Sequence, residues 1–441
     1  MQVVVEPMKG VRSCAIGIWA PAGPVYENEN EAGISHLIEH MLFKGTERRT
    51  AGEIAAEMDG LGGNLNAYTA KECTCYYAKV LDEHLPRGLD ILQDLVNHAR
   101  LDKTDLEREK SVVCEEILMM EDTPEDLAHE LLCGAMFGGT PLARPILGSQ
   151  ESVRALNRED LTAYMNRRYR PENMVVACAG RVDMPALKDM LEGLFPAGTQ
   201  TPHKAQDGMP PSSLISGPVF TGVGKDVEQA HICLGYPGFP TDSDDQFALL
   251  VLNNALGGSM SSRLFQKIRE ERGLAYSVYS YPSSYSGTGY FTLYAGTGEK
   301  QGPEVIRLML EETRRMLTGG ITKDELQRSK EQLKGNYMLG QESTSARCGA
   351  IGRSLLLRGY AREEEDVLRR IARVSMEDVN AILPVSYTHL DVYKRQVITF
   401  QDTLYFNITR TIEQPKLEQA FFTRLVRMGV PVKIESNQRR E

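Results

Sequence analysis

His36-Leu37-Ile38-Glu39-His40 sets two histidines four residues apart near the start of a 441-residue chain. On a helix such a pair points the same way and can grip one metal ion. Glu39 stands three after His36 and next to His40, on the edge of the same face. There it can take a proton from water at the metal. Leu37, Ile38, Met41, Leu42 and Phe43 crowd the segment with apolar residues. Imidazole and carboxylate groups embedded in so apolar a helix need a partner, because unpaired burial is costly.

The order is HxxEH, the reverse of the HExxH order common in zinc hydrolases. Zinc in such sites usually takes three protein ligands and leaves one position for water. The segment 105–120 (DLEREKSVVCEEILMM) reads as a helix and carries Glu107, Glu109, Glu115 and Glu116. Glu109 and Glu116 are seven apart and share a face, while Glu115 lies about 100° from Glu116. That face can offer one carboxylate to the metal and a second behind it as support. Periodicity leaves Glu115 and Glu116 both open.

The chain is long enough for two or more domains. Its 41% hydrophobic and 25% charged content is that of a soluble globular protein. A net charge of −10 argues against nucleic acid as the main partner and suits basic substrates. The eight cysteines form no CxxC pair, and Cys73-Thr74-Cys75 would turn both thiols to one side of a strand. Buried, reduced thiols in a cytoplasmic protein are expected. The start, Met-Gln-Val-Val-Val-Glu, shows no signal peptide. No run approaches the roughly 18 apolar residues of a membrane span.

The predicted elements of the first half are a strand at 11–20, helices at 33–43 and 51–60, and a hairpin of strands at 64–70 and 72–81. Helices at 84–99, 103–121, 124–137 and 158–167, a strand at 174–180 and a helix at 184–194 follow. Residues 198–216, rich in Pro, Ser and Gly, read as a linker. The second half repeats the order, with a strand at 229–236, a helix at 244–256, strands at 275–283 and 287–296, and helices at 303–317 and 322–340. Thr104–Lys110 and Lys323–Lys330 align with one residue of slack. The expected fold is therefore α+β: two tandem homologous α/β-sandwich domains, 1–197 and 217–385, each a mostly antiparallel sheet with helices packed on it. The second copy lacks the metal signature.

HLIEHMLFKGT at 36–46, NAYTAKECTCYY at 66–77 and EREKSVVCEEI at 107–117 together resemble the pitrilysin/insulinase family of zinc peptidases. The resemblance is nearest to the short-chain branch containing the mitochondrial processing peptidase and its bacterial relatives, and it covers about residues 1–384. It implies a metalloendopeptidase holding one Zn2+ per chain through His36, His40 and Glu116, with Glu39 as general base and Glu109 behind the metal. It implies that peptides or unstructured segments are bound as an added strand along Asn66-Ala67, inside a chamber of which this chain forms half of a clamshell. GGSMSSRLFQKIREERGLAYSVY at 257–279 matches as well, and Arg269 and Tyr276 stand in the spacing of a pair that contacts the substrate carbonyl. They are expected to act across a homodimer, or a heterodimer with a related subunit, on the partner's zinc. The alternative is a non-catalytic core or partner subunit, a kind of member that typically has a degraded metal motif.

Two departures stand out. A first strand of the type NGLRVVVE would normally precede Val3, so the resemblance implies residues missing from the start. Residues 386–396, SYTHLDVYKRQ, resemble a translated adaptor sequence that recurs in assembled metagenomic reads. Residues 386–441 are therefore expected to be a foreign tail, and the second domain to lack its last strand.

Overall fold

A computed structural model describes residues 1–194, 219–387 and 396–398. The expected linker and most of the expected foreign tail lie outside the described residues. Two five-stranded sheets form the frame. The first holds β1 (Gln2–Pro7), β2 (Ser13–Ala20), β3 (Asn64–Thr69), β4 (Thr74–Leu81) and β5 (Val175–Gly180) in the order β1-β5-β2-β4-β3. The second holds β6 (Phe220–Thr221), β7 (Gln229–Pro237), β8 (Ala275–Tyr285), β9 (Thr288–Gly298) and β10 (Gln396–Ile398) in the order β6-β10-β7-β9-β8. Strand for strand the orders are the same, as the internal repeat requires. In each sheet one pair is parallel, β1 with β5 and β6 with β10, and the remaining pairs are antiparallel. The predicted hairpin at 64–81 is present as β3 and β4, and β3 is an edge strand.

β10 corrects one expectation. The second sheet does not lack its closing strand: residues 396–398 pair with both β6 and β7, in the slot that β5 fills in the first sheet. The replacement is three residues long against six for β5. An open slot would leave the facing backbone groups of β6 and β7 without partners, which even a short strand reduces.

The metal-motif helix, α1, runs Ile34–Leu42. Its 3.6-residue period buries Ile34, Leu37, Ile38, Met41 and Leu42 in the first core. His36, Glu39 and His40 fall on the half-exposed stripe that remains. The first turn is held from outside the helix: the buried Glu27 carboxylate accepts from Gly33 N at 2.9 Å and Ser35 N at 3.1 Å. It thereby satisfies two amides that have no partner within the helix. α1 packs against the long helix Lys103–Asp122 and against β3.

Beyond 340, where the periodicity reading stops, the structure adds helices Thr344–Arg358, Glu364–Arg373 and Met376–Tyr387. The first of these lies not on its own sheet but on β2 and β5 of the first half. Cys348 and Ile351 bury there with Trp19, Cys73, Cys75 and Val175. Helix Pro124–Phe137 makes the reciprocal move. Leu132, Cys133, Met136 and Phe137 bury with Cys233, Tyr290 and Tyr294 of the second sheet. Each exchange turns on a glycine. A Cβ at Gly352 would meet the Trp19 ring at 2.6 Å, and one at Gly235 would meet Leu132 at 2.7 Å and Met136 at 2.8 Å. The halves are consecutive in sequence but interlocked in packing.

Candidate active site

Helix periodicity sets the two histidines on one stripe of α1, and the Lys103–Asp122 helix carries the carboxylates to them. Glu116 Oε2 lies 3.6 Å from His36 Nε2 and 3.5 Å from His40 Nε2. One ligand atom from each of the three residues lies within 4.8 Å of the others. Glu115, on the same helix, is exposed and turned away. Of the two carboxylates that periodicity left open, Glu116 is the one that lies against the histidines. Zinc with bonds of about 2.0–2.1 Å in tetrahedral geometry spaces its ligand atoms roughly 3.3 Å apart, close to the two separations seen here.

Protonation states favour the same reading. Burial, helped by the neighbouring His40, pushes the His36 pKa down to about 4. His36 is therefore neutral near pH 7, and one of its ring nitrogens has a lone pair to give. Glu116 stands against both imidazole Nε2 atoms, a grouping that a cation between the three would hold together. The donor set, two nitrogens and one oxygen, suits zinc.

Behind the histidines, Glu109 is 2% exposed. Its Oε2 lies 3.2 Å from His40 Nδ1 and its Oε1 2.8 Å from Lys44 Nζ. A carboxylate on Nδ1 fixes the imidazole tautomer and frees Nε2 for the metal side. Lys44 neutralises the same carboxylate. The lysine stands in the quoted stretch HLIEHMLFKGT, but nothing in its spacing marks that role.

Glu39 lines the same cavity as His36. Burial raises its pKa, opposed by a hydrogen bond from the Thr69 hydroxyl at 2.5 Å. The cavity beside it has a volume of about 390 Å3 and is lined by His36, Glu39, Ala67, Thr69, Met120 and Leu147, among others. Met120 and Leu147, with Pro145 and Ile146, make much of its wall apolar. Asn66 and Ala67 lie on the free edge of β3, and the Asn66 side-chain oxygen accepts from Ala67 N at 2.8 Å. Thr69 is a residue the sequence reading missed. It sits inside the quoted NAYT, and only its position opposite α1 reveals it.

Arg269 and Tyr276 lie in the second half. Arg269 is in the short π-helix Phe265–Glu270, its guanidinium 4.8 Å from the Phe265 ring centroid and 5.0 Å from that of Tyr276. Tyr276 is 74% exposed. Among the described residues no hydrogen bond or ion pair joins either of them to His36, His40 or Glu116. The chain therefore brings together His36, Glu39, His40, Glu109 and Glu116 beside Asn66-Ala67, and leaves the Arg269–Tyr276 stack on an open surface.

A family profile described as "Insulinase (Peptidase family M16)" matches residues 2–150, and one described as "Peptidase M16 inactive domain" matches 155–333. The second label falls on the half without the histidine motif. The chain is 42% identical over 388 residues to the uncharacterized zinc protease YmxG of Bacillus subtilis, covering 88% of this chain and 94% of that protein. It is 40% identical to an uncharacterized zinc protease of Streptomyces coelicolor, covering 87% and 84%. Among solved structures, a protease from Helicobacter pylori superposes with a TM-score of 0.81 at 22% identity, covering 90% of this chain and 96% of that one. A peptidase M16 inactive domain from Pseudomonas fluorescens superposes with a TM-score of 0.83 at 20% identity, covering 92% and 97%. With its motif half and its motif-free half both matched in order, the chain belongs to the insulinase family of peptidases, family M16.

Proposed function

We propose that this protein is a zinc-dependent endopeptidase that hydrolyses peptides or unstructured protein segments. The observation that carries the proposal is the convergence of His36 Nε2, His40 Nε2 and Glu116 Oε2, with Glu39 on the adjoining cavity. Relatives named as zinc proteases support the choice of metal. Bound there, zinc would lower the pKa of water and polarise the scissile carbonyl.

The residues divide the remaining work. His36, His40 and Glu116 hold the ion, and Glu109 orients His40. Glu39 takes a proton from the attacking water and passes it to the leaving amine. The free edge of β3 at Asn66-Ala67 receives the substrate as an added strand, for which the Asn66 side chain must first release Ala67 N–H. The apolar cavity beside Glu39 takes a side chain next to the cleaved bond. Arg269 and Tyr276 stabilise the developing oxyanion from a second subunit, identical or related, that closes the chamber. Their exposure on an open face supports action in trans. Eight free, buried cysteines support a reducing, cytoplasmic setting. No helix among the described residues is long and apolar enough to cross a membrane.

The test is Glu39→Gln. It should keep zinc and lose at least about 100-fold in turnover of an unstructured basic peptide, the scale of a lost general base. A variant with wild-type turnover refutes the assignment. A wild-type protein without zinc-dependent cleavage supports a non-catalytic subunit instead.

A further inference from the structure

Thr69 sits where the edge strand meets the metal helix. It is the last residue of β3 and pairs across the hairpin with Thr74, the first of β4. Strand alternation sends Cys73 and Cys75 to the far face, where both bury with Trp19 and Cys348. Thr74 is left on the same side as Glu39.

Three polar contacts follow in line. The Thr69 hydroxyl donates to Glu39 Oε2 at 2.5 Å. Thr69 Oγ1 lies 3.2 Å from Thr74 Oγ1. The Thr74 hydroxyl donates to Ala22 O at 3.2 Å. Thr74 is wholly buried, so no solvent competes for its proton. With that proton given to Ala22, Thr74 offers Thr69 only a lone pair. Thr69 then has one proton and two acceptors in reach. The carboxylate is the closer acceptor, at 2.5 Å against 3.2 Å, and it wins.

We propose that Thr69 is a positioning residue for the base. Its hydroxyl, backed by Thr74 and the Ala22 carbonyl, holds the Glu39 side chain in the cavity beside His36. A glutamate has three side-chain torsions, and a half-exposed one samples several rotamers. Without the hydroxyl, nothing else among the described hydrogen bonds fixes the Glu39 carboxylate. A hydroxyl both donates and accepts, so the link persists when Glu39 carries a proton. Because β3 is also the strand that receives substrate, the same edge that seats the peptide sets the base. The inference rests on the endopeptidase reading above.

The experiment compares wild type, Thr69→Val, Thr69→Ser and Thr74→Val for zinc content, kcat and KM on a quenched fluorescent peptide. Thr69→Val keeps the β-branched shape and loses only the hydroxyl. It should retain zinc and KM within about 3-fold while kcat falls about 10- to 100-fold, the scale of one hydrogen bond to a charged group. Thr69→Ser should recover kcat to within about 3-fold of wild type, and Thr74→Val should lose less than Thr69→Val. Thr69→Ala repeats the loss of the hydroxyl without added methyl bulk, so a folding defect in the valine variant leaves a second comparison. Wild-type kcat in the hydroxyl-free variants overturns the inference, as does a serine variant as impaired as the valine one. Loss of zinc along with kcat also overturns it, because the residue would then serve the metal site as a whole. The two readings fail separately: a wild-type protein that does not cleave sinks the endopeptidase reading, whereas cleavage indifferent to Thr69 sinks only this one.

Discussion

Glu109→Gln should weaken zinc binding without removing a ligand. The carboxylate serves two donors at once, His40 Nδ1 at 3.2 Å and Lys44 Nζ at 2.8 Å, from a site 2% exposed. A glutamine of the same size has one accepting end and one donating end. Whichever way it turns, either His40 or Lys44 meets an NH2 group. If His40 loses its acceptor, its tautomer is no longer fixed and the Nε2 lone pair is no longer held toward Glu116. Each charge-assisted bond is worth about 1.5–3 kcal/mol, but the Lys44 side chain is 36% exposed and solvent screens its share. The His40 bond therefore dominates. Outer support of this kind is worth about 10- to 100-fold in metal affinity, or about 1.4–2.7 kcal/mol. A competition titration against a chromophoric zinc chelator at fixed pH measures it, with kcat/KM alongside. Lys44→Met, which leaves the Glu109–His40 bond in place, should shift affinity by less than Glu109→Gln. An Glu109→Gln protein that binds zinc within twofold of wild type would refute the reasoning: α1 alone would then orient His40.

Other outcomes follow from the same geometry. Glu116→Gln should strip zinc and Glu115→Gln should not; the reverse pattern, read by metal content after dialysis, would mean that the wrong carboxylate has been chosen. Gly352→Ala should destabilise by about 1–3 kcal/mol through overpacking against Trp19, although alanine favours a helix by up to about 1 kcal/mol. A higher unfolding midpoint in denaturant would show that the ring yields. His36 is neutral in the fold because burial holds its pKa near 4, while in the unfolded chain it takes a proton near about 6.5. Between these values the unfolded state binds more protons, so this contribution to apo-protein stability is present above about pH 6.5 and is lost as pH falls toward 4. Relative to His36→Gln, apo wild type should therefore lose thermal stability between pH 7 and pH 5; a constant difference between the two would count against a buried neutral imidazole.

Much of the local structure was legible because it follows from periods of two and 3.6. The hairpin read at 64–81 is β3–β4, and the helices read at 103–121 and 124–137 are observed as Lys103–Asp122 and Pro124–Phe137. The face of α1 that carries His36, Glu39 and His40 was legible for the same reason. What failed to show were partners distant in sequence. Lys44 and Thr69 both stood inside quoted motifs, yet their roles depend on Glu109 and Glu39 being brought across from other elements. Helices Thr344–Arg358 and Pro124–Phe137 each carry an apolar face, and no local pattern says which sheet will cover it.

The sequence by itself therefore determined the elements, the internal repeat, and the two histidines and glutamate of α1, because residues three and four apart on one helix need no other segment to align them. Tertiary structure set Glu116 rather than Glu115 against the histidines, exchanged two helices between the halves, filled the last slot of the second sheet with residues 396–398, and set Thr69 against Glu39. These depend on which surfaces meet when the chain folds back on itself, and that is fixed by packing and by the pairing of buried polar groups rather than by spacing along the chain.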